Sequence, residues 1–262
     1  MIDSILKAFK SIVKKPALLI PPIVIPTLLV ALIFLFIEPL ANLLVEVLFL
    51  ENVPESPLFA LPIHFLAMYP IEILSVVLLV FVFSVIWAAT AFFYSKVAND
   101  LSAGGGSIGE ALRATKEAFG KIVALIVFFY VIGFFSAILL WLFMLLPATI
   151  GFILSMLFAV LLFYVFVKLS FTIPAMAIDN LGVKEALAKS WVFTKKKFLS
   201  VIIFLFVVSV LSTFILRIEE AIETLFSDEI ITSILFLIFW LFATVFSNLA
   251  VAFYYLKKQF GK

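Results

Sequence analysis

The sequence predicts an all-α integral membrane protein with six transmembrane helices, on three observations. Hydrophobic residues make up 66% of the 262 and charged residues 13%, where globular chains run near about one half and about one quarter. Mean hydropathy is +1.34 and 33 residues are Phe, which leaves too few polar side chains to cover a water-soluble surface. Apolar stretches of spanning length recur along the chain, and the basic residues collect on one side of them.

A helical span needs about 20 apolar residues to cross roughly 30 Å of hydrocarbon. Six stretches qualify: 17–37, 71–95, 121–146, 149–171, 198–216 and 230–256. The first is longer than the apolar core of a secretory signal, and no small-x-small cleavage site follows it, so it reads as a span. The third and fourth lie in a run, Ile122 to Val167, that carries no charge. As one helix it would be about 69 Å long. Leu146-Pro147-Ala148-Thr149-Ile150-Gly151 breaks it, because Pro lacks a backbone donor and Gly tolerates a turn, and a tight helical hairpin is expected there.

With six spans, the N-terminal segment, loops 96–121 and 168–197, and the C-terminal tail share one side. They hold 17 of the 18 basic residues, leaving Arg217 opposite, where ten of the 16 acids lie. The positive-inside rule places both termini in the cytoplasm, with the plasma membrane as the location.

A basic amphipathic segment precedes each outward span. The first sets Ile2, Ile5, Leu6, Phe9, Ile12 and Val13 on an apolar face, with Asp3, Ser4, Lys7, Lys10 and Lys14 opposite. The second opens on the capping-box pattern Ser107-Ile108-Gly109-Glu110. It continues with Ala111, Leu112 and Phe119 beside Arg113 and Lys116. The third carries Val183, Ala186, Leu187 and Trp191 among Lys184, Lys189, Lys195, Lys196 and Lys197. Such helices lie in the interface with lysines among lipid headgroups. All ten basic and aromatic candidates (Lys10, Lys14, Arg113, Lys116, Lys184, Lys189, Trp191, Lys195, Lys196 and Lys197) are expected to contact headgroups or a membrane partner.

The segments also resemble one another. Asp3-Ser4-Ile5, Glu110-Ala111-Leu112 and Glu185-Ala186-Leu187 each give an acid, a small residue and an aliphatic one. Ala91-Phe92-Phe93-Tyr94-Ser95-Lys96 recurs as Ala252-Phe253-Tyr254-Tyr255-Leu256-Lys257. A threefold helical-hairpin repeat, with units 1–95, 103–172 and 182–256, is read within a single membrane domain of residues 1–262. On the outer side, residues 40–48 and 218–226 are amphipathic, and neither loop is long enough for a domain.

Several chemistries are disfavoured. Cysteine is absent and His64 is the one histidine, which removes disulfides, thiolate nucleophiles and His-cluster zinc. His64 with Glu51 or Glu55 reads as an isolated surface histidine rather than a metal site. Ala103-Gly104-Gly105-Gly106-Ser107 fits neither phosphate-binding glycine motif and reads as a hinge with an N-cap. Span hydroxyls such as Ser84, Thr90 and Ser247 are expected to bond their own or a neighbouring helix, and Asn248 to join helices. No Asp or Glu lies near a midplane, which argues against proton- or ion-coupled transport. The single Gln259 beside many Lys and Glu hints at a thermophilic source.

One stretch carries a family resemblance. Phe171-Thr172-Ile173-Pro174-Ala175-Met176-Ala177-Ile178-Asp179-Asn180, followed by Glu185-Ala186-Leu187-Ala188-Lys189-Ser190-Trp191, resembles a pattern shared by a broad prokaryotic group. The group includes uncharacterised archaeal six-span proteins and the membrane domain of glycerophosphodiester phosphodiesterases. The resemblance implies the architecture, gives Pro174, Asp179, Ala186 and Ser190 a structural role, and implies no activity, since in such relatives a separate soluble domain hydrolyses the diester. The function expected is non-catalytic, with no cofactor, metal or nucleic acid: a scaffold or envelope-maintenance protein that contacts membrane lipids, another membrane protein or a second copy of itself. The alternative is a transporter or channel for a lipid-like or neutral substrate.

Overall fold

The computed structural model describes residues 1–23, 70–105, 107–195, 197–223 and 229–260. Its helices are α1 (Ile2–Lys14), α2 (Pro70–Ser102), α3 (Ile108–Glu117), α4 (Phe119–Met144), α5 (Ala148–Leu169), α6 (Thr172–Asp179), α7 (Val183–Lys195), α8 (Phe198–Glu223) and α9 (Glu229–Phe260). Two 3-10 turns, Pro16–Leu19 and Pro21–Ile23, follow α1. Among the described residues no strand occurs, as expected for a chain that must satisfy every backbone group within helices.

Among the described residues, five helical stretches are long and apolar enough to cross a membrane: Ile73–Ser102, Phe119–Met144, Ala148–Asp179, Phe198–Ile218 and Thr232–Phe260. They correspond to the second through sixth expected spans. The first begins in the two 3-10 turns and otherwise lies outside the described residues, as do His64, the 40–48 segment and the end of the 218–226 segment. Large apolar side chains stand outward along these helices, with Phe166 71% and Phe206 67% exposed. Apolar exposure on that scale requires lipid as solvent, and the protein is a multi-pass integral membrane protein.

The chain divides into two compact units. One, Ile25–Trp87 with Val123–Phe163, contains the α4–α5 turn and part of α2. In it Phe81 meets Tyr130 edge-on with centroids 5.2 Å apart, and Ser84 Oγ lies 3.2 Å from the Tyr130 hydroxyl. The expected hairpin is present: α4 ends at Met144 and α5 begins at Ala148. Gly151 is required by close approach rather than by an unusual φ. A Cβ there would collide with the Phe143 carbonyl oxygen, while Gly151 N–H donates to Pro147 O at 2.9 Å. Phe143 and Phe158 then meet edge-on across the turn.

The other unit comprises Met1–Val24, Ala88–Ile122 and Tyr164–Lys262. It gathers the four basic segments predicted to share a side. Lys257 pairs with Asp3, Lys7 Nζ donates to Ser102 Oγ at 3.1 Å, and Lys197 Nζ donates to Lys258 O at 3.1 Å. Burial and the neighbouring Lys258 ammonium lower the Lys197 pKa below the ordinary lysine value. The core is aromatic: Tyr254 stacks on Phe204 at 4.0 Å and on Phe171 at 5.8 Å, and Phe193 lies 4.9 Å from both Phe171 and Tyr255. Each such pair adds about 0.5–1.5 kcal/mol beyond the area it buries.

α1 has three faces rather than the expected two. Ser4, Ala8 and Ile12 are buried as α1 packs along α9, with Phe9 edge-on to Phe242 at 5.6 Å and Lys7 over the Phe253 ring. Ser4 therefore leaves the polar face, and Ile12 leaves the lipid-facing one. Ile2, Leu6, Phe9 and Val13 remain exposed. Small side chains at i and i+4, Ser4 and Ala8, let a neighbouring helix approach closely, and Ile12 fills the contact one turn on.

Candidate functional site

The motif residues meet where α5 gives way to α6 and α7. α5 stops at Leu169 and the chain re-enters helix at Thr172, which leaves backbone groups without intrahelical partners. Ser190, one helix later, meets them. Its hydroxyl donates to Lys168 O at 2.8 Å and accepts from Phe171 N–H at 3.1 Å. Thr194 adds a hydroxyl donated to Ser190 O at 2.8 Å. Ala186, Ser190 and Thr194 form the buried stripe of α7. Pro174 is buried in the first turn of α6, where its missing N–H costs nothing.

Asp179 closes the same cluster. It is the last residue of α6, followed by Asn180 in the left-handed conformation (φ 55°), and Gly182 N–H donates to Glu185 Oε2 at the start of α7. A carboxylate at a helix C-terminus is disfavoured by the macrodipole and needs partners. It has three: Tyr255 O–H at 2.5 Å, Lys189 Nζ at 3.0 Å and Gln259 Nε2 at 3.4 Å. The Asp179 side chain is 11% exposed. Asp179 thus clasps α6, α7 and α9 together.

Lys168 is 2% exposed. Its Nζ stands over Tyr164, Trp191 and Phe198 with centroids at 5.2, 5.6 and 5.4 Å. Three ring faces offer a cation in a dry setting about 0.5–2 kcal/mol each. Trp191 therefore has two roles: one face lies toward Lys168, and 38% of the residue stays exposed.

Residues 145–260 match the membrane domain of glycerophosphoryl diester phosphodiesterase. The match runs from the α4–α5 turn to the end of α9, well beyond the stretch that carried the resemblance in the sequence. It places the Ser190 and Asp179 contacts, Tyr255 and Gln259 all within that membrane-domain family's extent. No curated protein matches the chain, and no solved structure does.

The basic candidates divide into engaged and free. Lys189 is held by Asp179 and Lys197 by Lys258 O. Arg113 pairs with Glu117 on the exposed face of α3 at 3.0 Å. Lys10, Lys14, Lys116, Lys184 and Lys195 are exposed, and Lys196 lies outside the described residues. Ser107 accepts from Glu110 N–H at 3.3 Å, so the glycine segment ends in the expected N-cap, after Gly104 turns with φ +84°. Asn248 departs from expectation: its Nδ2 donates to Thr244 O of its own helix at 2.8 Å. Sequence reading missed Tyr255, Gln259 and the Lys168 cage. The one clue was Lys168 itself, the first charge after a long uncharged run.

Proposed function

We propose that the protein is a non-catalytic membrane protein of six spans with both termini cytoplasmic in the plasma membrane. Its helices α1, α3 and α7 engage anionic lipid headgroups or a membrane partner in a scaffold or envelope-maintenance role. The observation that carries this reading is the exposed surface of those helices. On α1, Leu6, Phe9 and Val13 stand exposed beside Lys10 and Lys14. On α3, Leu112 is exposed beside Lys116, and on α7, Trp191 and Val192 beside Lys184 and Lys195. Lysines next to exposed apolar residues on one helix suit the headgroup boundary and no purely aqueous surface. The Lys7–Ser102 contact supports the span count by parity. It brings the two ends of the intervening chain together, as an even number of crossings between them would.

The test uses the full chain in nanodiscs of phosphatidylcholine or of a phosphatidylcholine–phosphatidylglycerol mixture, with Trp191 as the only tryptophan. Phosphatidylglycerol is expected to blue-shift Trp191 emission, and added salt to reverse the shift. Substituting Lys184 and Lys195 together by Gln is expected to abolish it. An equal response to both lipids removes headgroup engagement by α7. Salt-insensitive movement of neutral lipid between leaflets would favour the transport alternative.

A further inference from the structure

Between α1 and the end of α2 lies an open cleft of about 450 Å³, within the size range of small-molecule sites. Its walls include Lys7, Lys10, Ser11, Lys14, Lys15 and Leu101. Lys7, Lys10 and Lys14 recur at i, i+3 and i+7, so the helix turns all three to one side. Among the described residues the one acid on the wall, Asp3, is already paired with Lys257. Among the described residues Lys10, Lys14 and Lys15 meet no carboxylate, and Lys7 is steered by Ser102. The cleft is a concentration of uncompensated positive charge.

A second cavity of about 230 Å³ shares Lys15 and Leu101 with the first. Its character is opposite: Pro16, Ala17, Leu18 and Val97 line it. Tyr94 fixes this wall by donating its hydroxyl to Leu18 O at 2.5 Å. A basic cleft joined through shared residues to an apolar one matches a molecule with an anionic head and an apolar body.

We propose that this pair of cavities binds a phosphate-bearing amphiphile, the phosphate on Lys10, Lys14 and Lys15 and the adjoining apolar part against Pro16, Leu18 and Val97. The inference rests on the headgroup-binding reading of α1 and narrows it from a diffuse surface to one site. A phosphate there could come from a lipid or from a soluble ester, and the apolar cavity favours the lipid.

The test is native mass spectrometry of the full chain released from a neutral detergent, titrated with dioleoyl phosphatidate, dioleoyl phosphatidylcholine or inorganic phosphate. One phosphatidate is expected to stay bound under conditions that strip phosphatidylcholine. The Lys10→Gln/Lys14→Gln variant is expected to weaken that binding about 30-fold, from about 1 kcal/mol per basic residue near a membrane surface. Lys10→Arg/Lys14→Arg should retain it, which controls for folding, and Arg113→Gln/Lys116→Gln, outside the cleft, should weaken it much less than the α1 pair does. Inorganic phosphate bound at the same lysines, without phosphatidate, would keep the phosphate site and assign it a soluble ligand. Equal loss in the α1 and α3 variants would overturn the cleft while leaving general headgroup attraction intact. No preference for phosphatidate over phosphatidylcholine in any variant would overturn both.

Discussion

At the scale of single residues, Asp179 holds three elements through one carboxylate, and removing different partners should cost different amounts. Tyr255→Phe deletes one hydrogen bond to a charged group, which is expected to cost about 1.5–3 kcal/mol. Asp179→Ala should cost more than Lys189→Ala, because it strands Tyr255, Lys189 and Gln259 together. Melting temperatures in detergent check the order, and equal effects would contradict the clasp. Lys168 behaves differently. It meets rings rather than an acid, so Lys168→Met, which keeps the volume and removes the desolvation cost, should be neutral or stabilising. Trp191→Leu should destabilise the protein while Lys168 is present and have a smaller effect in the Lys168→Met background. At the N-terminus, Lys257 holds the Asp3 carboxyl below its ordinary pKa through a hydrogen bond and its charge. A depressed folded pKa means the link is present above about pH 4 and is lost as pH falls through the lowered value.

Among elements, the α4–α5 turn makes the sharpest prediction. Gly151→Val would set side-chain atoms against the Phe143 carbonyl oxygen, and backbone cannot step aside as a flexible side chain can. Overpacking of this kind costs about 1–3 kcal/mol, and the variant is expected to melt lower than wild type, whereas Gly133→Ala, which meets open space, should not. That turn was legible in the sequence because a charge-free run too long for one crossing must bend at its Pro and Gly. The three basic helices α1, α3 and α7 were legible through periodicity, and the Ser190 and Asp179 motif through resemblance. What each motif residue touches was not legible. Tyr255 and Gln259 reach Asp179 from far along the chain, and no local pattern encodes which tyrosine of a Tyr254-Tyr255 pair turns toward it. The third face of α1 was missed for a related reason: Ser4 and Ala8 read as polar or neutral by type and are buried only because α9 lies against them. The repeated triplets do gain a common feature, since Ser4, Ala111 and Ala186 are all buried. That shared burial shows why the middle position is small.

For the whole molecule, the arrangement turns on which segments share a side of the membrane. The pairs Asp3–Lys257, Lys7–Ser102 and Lys197–Lys258 join the N-terminus, two loops and the C-terminus into one unit, and 17 of the 18 basic residues fall on those segments. Charge segregation and packing therefore agree, although they arise from different physics: the potential and lipid composition of the membrane act on the first, and side-chain fit on the second. Cysteine accessibility in intact cells measures sidedness directly, and the chain's lack of native cysteine removes any background. With single substitutions Lys10→Cys, Arg113→Cys, Lys189→Cys and Lys258→Cys, all four positions are expected to be protected from an impermeant thiol reagent outside the cell, while Glu51→Cys and Glu223→Cys are labelled. Labelling at position 189 together with protection at position 223 would contradict the account.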